Sequence, residues 1–117
     1  MTDILNTVVA VLTIAFGAFG FIAPRYTLSA LDLDTASSTM GLSEMRASVG
    51  GLFVALGVAA LILNHPTIYF TIGIAFVGAA SGRVLSLMFD APPVRKVLIF
   101  GGIEAAMAVW LIAANPL

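Results

Sequence analysis

The stretch Ile68–Phe89, IYFTIGIAFVGAASGRVLSLMF, carries a single charged side chain, Arg83. A helix needs about 20 apolar residues to cross about 30 Å of hydrocarbon, so this segment is long enough. Three further stretches resemble it: Ile4 to Ile22, ended by Pro24; Ala47 to Leu63; and Val97 to Ala114. One apolar helix can be the core of a soluble protein, but four in 117 residues cannot all be buried. Strands of a membrane barrel would alternate polar and apolar residues over about ten positions, and no such pattern is present. Helices satisfy their own backbone groups in lipid. The sequence therefore predicts an all-α, integral membrane four-helix bundle, one transmembrane domain over residues 1–117, with spans at about 4–22, 41–63, 68–89 and 93–114.

Composition agrees with this reading. Hydrophobic residues make up 61% and charged residues 9% of the chain, with a mean hydropathy of +1.12. Soluble domains are about 25% charged. The net charge of −1 and the absence of cysteine argue against nucleic-acid binding and a disulfide scaffold. Met1-Thr2-Asp3 lacks the basic start of a cleaved signal peptide, so the first span is expected to be retained.

The connections are short except for an interfacial loop, residues 24–39, where Arg25, Asp32 and Asp34 mix with Tyr26, Leu28, Leu31 and Leu33. Ser37-Ser38-Thr39 supplies cap candidates that start the second helix near Met40. Asn64-His65-Pro66-Thr67 and Asp90-Ala91-Pro92-Pro93 read as tight turns. All five basic residues, Arg25, Arg46, Arg83, Arg95 and Lys96, sort to the side of the first and third connections. The positive-inside rule then puts those loops in the cytoplasm and both termini on the periplasmic side. Tyr69 and Trp110 fall near the outer interface, where aromatic belts form.

Charges within the spans need partners, because an unpaired charge at mid-membrane costs at least about 2.5–3.5 kcal/mol. Arg83 lies about 10 Å along its helix from Asp90, and Glu104 about 12 Å from Lys96. They reach similar depth on consecutive antiparallel helices. With a second helix starting near Met40, Glu44 and Arg46 join them in the same half. Glu44, Arg46, Arg83 and Glu104 sum to zero charge, and Ser43, Ser48, Ser81 and Ser86 are available to complete the network. Two readings stand: a structural clasp fixing helix order, or a site for the headgroup of a lipophilic ligand.

Gly51, Gly78, Gly82 and Gly102 belong to small-residue pairs at four-residue spacing (with Ala47, each other, Ser86 and Ala106), and together with Gly50 they are expected to pack helices within the chain, with an outer face left for a partner or second copy. Gly50-Gly51-Leu52-Phe53-Val54-Ala55 also echoes Gly101-Gly102-Ile103-Glu104-Ala105-Ala106, a hint of hairpin duplication. No catalytic residues and no metal site can be assembled: cysteine is absent, and His65 is the one histidine. Met40, Met45, Met88 and Met107 read as fillers.

The chain resembles a bacterial family known as domain of unknown function 4345, small four-helix membrane proteins. The likeness is carried by Gly41-Leu42-Ser43-Glu44-Met45-Arg46-Ala47-Ser48-Val49-Gly50-Gly51, by Gly82-Arg83-Val84-Leu85-Ser86 with Asp90, and by Glu104, and it spans essentially the whole chain. It implies a bacterial inner (cytoplasmic) membrane protein and one constellation of Glu44, Arg46, Arg83 and Glu104. It implies no activity.

The expected function is therefore a non-enzymatic accessory or assembly subunit of a larger membrane complex, surrounded by membrane lipid and contacting a membrane-protein partner or a second copy. No cofactor is expected. The alternative is a binder or carrier of a lipophilic ligand (quinone, carotenoid or lipid) using the Glu/Arg cluster. A transporter or proton path fits less well, since the polar layer occupies only one half of the span.

Overall fold

A computed structural model of the protein describes residues 2–116. Those residues are helical with no strand: α1 (Thr2–Ile22), α2 (Pro24–Ala30), α3 (Met40–Glu44), a π-helix (Met45–Gly51), α4 (Leu52–Leu63), α5 (Pro66–Phe89) and α6 (Val94–Ala114). α3, the π-helix and α4 follow one another without a break, as one helical rod from Met40 to Leu63. Four rods are long and apolar enough to cross a membrane: Asp3–Ile22, Met40–Leu63, Pro66–Phe89 and Val94–Ala114.

Proline and turn chemistry set the boundaries. Pro24 pushes Ala23 out of the α region (φ −122°, ψ 65°), which separates α1 from α2. α2 closes on Asp32 in the left-handed region (φ 63°), with Leu33 N–H donating to the Leu28 carbonyl at 2.8 Å and Asp32 N–H to Ser29 at 3.1 Å. That is the Schellman arrangement, with aspartate in the place glycine usually takes. Part of the expected interfacial loop is thus a short helix. Ser38 Oγ, rather than the N-cap residue Thr39, accepts the Met40 N–H at 3.3 Å. α5 begins two residues earlier than expected because Pro66 occupies its first position, where a missing N–H costs nothing. His65 caps it, its Nδ1 accepting from Thr67 N–H at 3.1 Å.

The rods fall into two compact units, Asp3–Leu63 and the segment from Asn64 onward. In the first, α1 meets the second rod backbone to backbone. A Cβ on Gly17 would sit 2.8 Å from both the Gly50 carbonyl oxygen and Val54 N. One on Gly20 would sit 3.1 Å from Gly50 N and Met45 O, and one on Gly50 would run into the backbone of Phe21. Further along, Gly57 lies against Ala10 and Ile14. The π-helix makes this face possible. Met45 and Gly50 both meet α1 and are five residues apart, one i→i+5 hydrogen-bond step and close to one turn of a π-helix. In an α-helix, at 3.6 residues per turn, five residues would leave them about 140° apart.

In the second unit, α5 and α6 pack through Gly73, whose α-carbon lies open to Leu111 and Ile112; an added Cβ would be 3.0 Å from Leu111 Cβ. Tyr69, Ile72 and Phe76 on α5 and Val97, Met107, Ala108 and Leu111 on α6 are buried. Tyr69 is buried near the start of α5, its hydroxyl donating to Asn64 Oδ1 at 3.4 Å. The echo between the double glycines has a structural counterpart. Gly50 and Gly101, the first of each pair, both lie against the preceding long helix of their own unit, at Phe21 and at Arg83 respectively.

Gly78, Gly82 and Gly102 do not bring α5 and α6 together: within their unit an added Cβ at any of the three meets nothing within 4 Å. The tight approaches fall instead at Gly17, Gly20, Gly50, Gly57 and Gly73, while Gly51 makes ordinary contacts with Arg46 and the Phe21 ring. Small residues at four-residue spacing occur on every face of such helices, so spacing alone did not select the right ones.

Gly50→Ala is therefore expected to destabilise the fold by about 1–3 kcal/mol, the usual cost of overpacking. Gly78→Ala, with open space around it, is expected to stabilise its helix by up to about 1 kcal/mol through propensity. Thermal unfolding in detergent followed by circular dichroism reads both signs.

Candidate functional site

Arg83 and Glu104 meet across the α5–α6 hairpin. Arg83 Nε donates to Glu104 Oε1 at 2.9 Å, and Nη2 reaches Oε2 at 3.5 Å. The two side chains are 37% and 16% exposed. The fork is thus uneven, with one strong arm and one at the limit of a hydrogen bond.

Two α6 residues make room for the arginine, and the sequence reading did not single out either in that role. Gly101 lies under the stem: a Cβ there would approach Arg83 Cβ and Cγ to 3.3 Å. Phe100 covers the guanidinium, its ring centroid 5.7 Å from Cζ, within cation–π range. Glu104 lies three residues beyond Gly101 and four beyond Phe100, so all three occupy neighbouring positions on one side of α6. Phe100-Gly101-x-x-Glu104 is one cradle for one arginine. The signal is present in the sequence as an aromatic residue and a glycine one turn before the lone acid of a long apolar segment.

The other two members of the expected constellation have partners in the first unit. Arg46, exposed on the π-helix, donates from Nη1 to the Phe21 carbonyl at 2.8 Å. This carbonyl belongs to the last turn of α1, where the helix dipole favours a cation. Glu44, also exposed, accepts from Ser48 Oγ at 3.2 Å. Of the serines offered to the network, Ser48 serves Glu44, while Ser81 donates to the Val77 carbonyl one turn back. Arg46 and Gly50 act on the same residue, Phe21, one through a hydrogen bond and one through backbone contact.

Among the described residues, no group of three His, Asp or Glu side chains comes together as a metal site requires. A polar pocket is lined by Arg25, Ser29, Asp32, Asp34 and Thr35 with Leu28 and Leu33, all on α2 and the segment after it.

The family model for domain of unknown function DUF4345 matches residues 1–115. The chain belongs to the DUF4345 family. No curated protein and no solved structure matches it. The DUF4345 match covers both units, so the Arg83 cradle and the Arg46–Phe21 contact both lie within the family's domain.

Arg83→Gln would leave the mostly buried Glu104 carboxylate without its cation, at an expected cost of about 1–3 kcal/mol, moderated by the exposure of the arginine. Swapping the charges, Arg83→Glu with Glu104→Arg, is expected to recover only part of this, because Gly101 and Phe100 are placed for an arginine on α5. Folded yield and thermal stability of the two variants check the prediction. No recovery at all in the swap would contradict an electrostatic clasp.

Proposed function

We propose that this DUF4345 protein is a non-catalytic integral protein of the bacterial inner membrane and serves as an accessory or assembly subunit of a larger membrane complex. Its termini lie on the periplasmic side and its charged loops in the cytoplasm. The observation that carries the reading is the open small-residue face of α6. Gly102, Ala106, Val109 and Ala113 are exposed at three- and four-residue spacing, and nothing stands within 4 Å of a Cβ on Gly102. In lipid, association depends on close backbone approach, and an exposed glycine flank suits an apolar helix of a partner.

Several observations support a bilayer around the rest. At most 28% of the most apolar window of each long rod is buried, and Ile22, Ile62 and Phe89 are about three-quarters exposed. Hydroxyls on the rods turn inward to their own helix: Thr7, Thr13, Thr71 and Ser81 each donate to the carbonyl four residues back at 2.7–2.8 Å. Such back-bonding satisfies a hydroxyl where water is absent. The sorting of all basic residues to one side supports the orientation. Arg83–Glu104 then acts as the clasp of the second hairpin.

Extraction in mild detergent after cross-linking is expected to recover the chain with a defined membrane-protein partner. Gly102→Leu, which meets no neighbour within its own unit, is expected to reduce that recovery at least fivefold while leaving thermal stability unchanged. A monomer with no cross-linked partner would refute the accessory-subunit reading.

A further inference from the structure

The polar cavity beside α2, about 320 Å³ in volume, brings one cation, Arg25, together with two carboxylates, Asp32 and Asp34. These opposite charges do not satisfy each other. Among the described residues, neither the Arg25 guanidinium nor the Asp32 carboxylate has a hydrogen-bond or ion-pair partner. Asp34 Oδ1 accepts from Thr35 N–H at 2.8 Å, which leaves its second oxygen open. The backbone between them is held in place, because Leu33 N–H and Asp32 N–H close α2 onto the Leu28 and Ser29 carbonyls.

The cavity also lies where an apolar rod ends. Ile22, the last residue of α1, is 74% exposed; Tyr26, next to Arg25, is 66% exposed, and Leu33, in the cavity wall, 53%. Charged groups flanked by exposed apolar side chains suit the border between headgroups and acyl chains.

We propose that this cavity binds the phosphoethanolamine headgroup of a membrane phospholipid. The Arg25 guanidinium donates to the phosphate oxygens, and Asp32 with the open oxygen of Asp34 accepts from the primary ammonium. Tyr26 and Leu33 lie along the acyl chains. This site rests on the reading that the rods lie in a bilayer, and it is independent of the partner face on α6.

Charge complementarity selects the headgroup. An anionic lipid such as phosphatidylglycerol satisfies Arg25 but sets its phosphate against two carboxylates. A lone cation satisfies the carboxylates and repels the arginine. A zwitterion answers both, with the planar guanidinium fork matched to the phosphate. Between zwitterions, a primary ammonium offers three N–H donors, as a lysine head does, whereas a choline group offers none. Free phosphoethanolamine carries the same two charges, so a test must separate the soluble source from the lipid.

The test is native mass spectrometry of the detergent-solubilised full chain with dihexanoyl phosphatidylethanolamine, phosphatidylcholine or phosphatidylglycerol at equal concentrations. A single phosphatidylethanolamine adduct is expected, favoured over the other two by at least about threefold, the worth of one exposed ion pair. Asparagine takes the left-handed backbone of Asp32 (φ 63°) readily, so Asp32→Asn removes a charge and keeps the turn. Asp32→Asn and Asp34→Asn should each abolish the preference over phosphatidylcholine with unchanged helicity, and Arg25→Gln should weaken both zwitterionic lipids. Asp90→Asn, exposed and outside the cavity, should bind as the parent does. Equal binding of the three lipids, or an unchanged preference in both aspartate variants, overturns the proposal. Displacement of the lipid by an equal concentration of free phosphoethanolamine assigns the cavity to a soluble ligand and also overturns it. Release of the chain from membranes by alkaline carbonate without detergent would instead overturn the membrane reading beneath it.

Discussion

An apolar exterior leaves a polar side chain two places to turn: its own helix, or the helix beside it. Many of the described residues follow this constraint, although the buried Trp110 Nε1 has no partner among them. Hydroxyls on the rods bond back one turn, Asn115 donates to the Leu111 carbonyl at 2.9 Å, and Arg46 finds the open carbonyl of Phe21. Arg83 cannot be satisfied locally, because its own helix offers no free acceptor of matching charge, so it reaches across to Glu104. Gly101 and Phe100 follow from that reach: an arginine held across a helix pair needs a gap for its stem and a surface for its head.

In the first unit the same constraint acts through the backbone. Glycine contacts between α1 and the second rod replace side-chain interlocking with direct approach, where dispersion forces are gained over many short contacts. The π-helix serves that approach by turning Met45 and Gly50 to one face. It also fixes where Arg46 emerges, so packing and polar satisfaction meet at Phe21.

The helical class and the four long rods were legible because hydropathy over 20 residues is a strong signal, and Pro24, Pro66 and Pro93 mark the ends. The π-helix was not legible: its i→i+5 bonding leaves no signature in composition, and Met45–Gly51 reads as an ordinary helix. Arg83 and Glu104 could be matched by depth, since each is the lone charge deep in its span. Depth groups Glu44 and Arg46 with them as well, and each has a partner inside its own unit, Ser48 and the Phe21 carbonyl. Depth ranks which charges need partners and says little about which partner wins. Among glycines the difficulty was rotation: Gly50 faces a helix and Gly102 does not, and only the register set by the π-helix and the Gly73 contact distinguishes such faces.

The central claim is that four helices cross a membrane with the basic loops on one side. The chain has no cysteine, so single cysteines can be placed without background. Variants His65→Cys, Ser37→Cys and Ala91→Cys, treated in spheroplasts with a membrane-impermeant maleimide, test it directly. His65→Cys is expected to label from outside, and Ser37→Cys and Ala91→Cys only after permeabilisation. Labelling of all three from the same side would contradict the account.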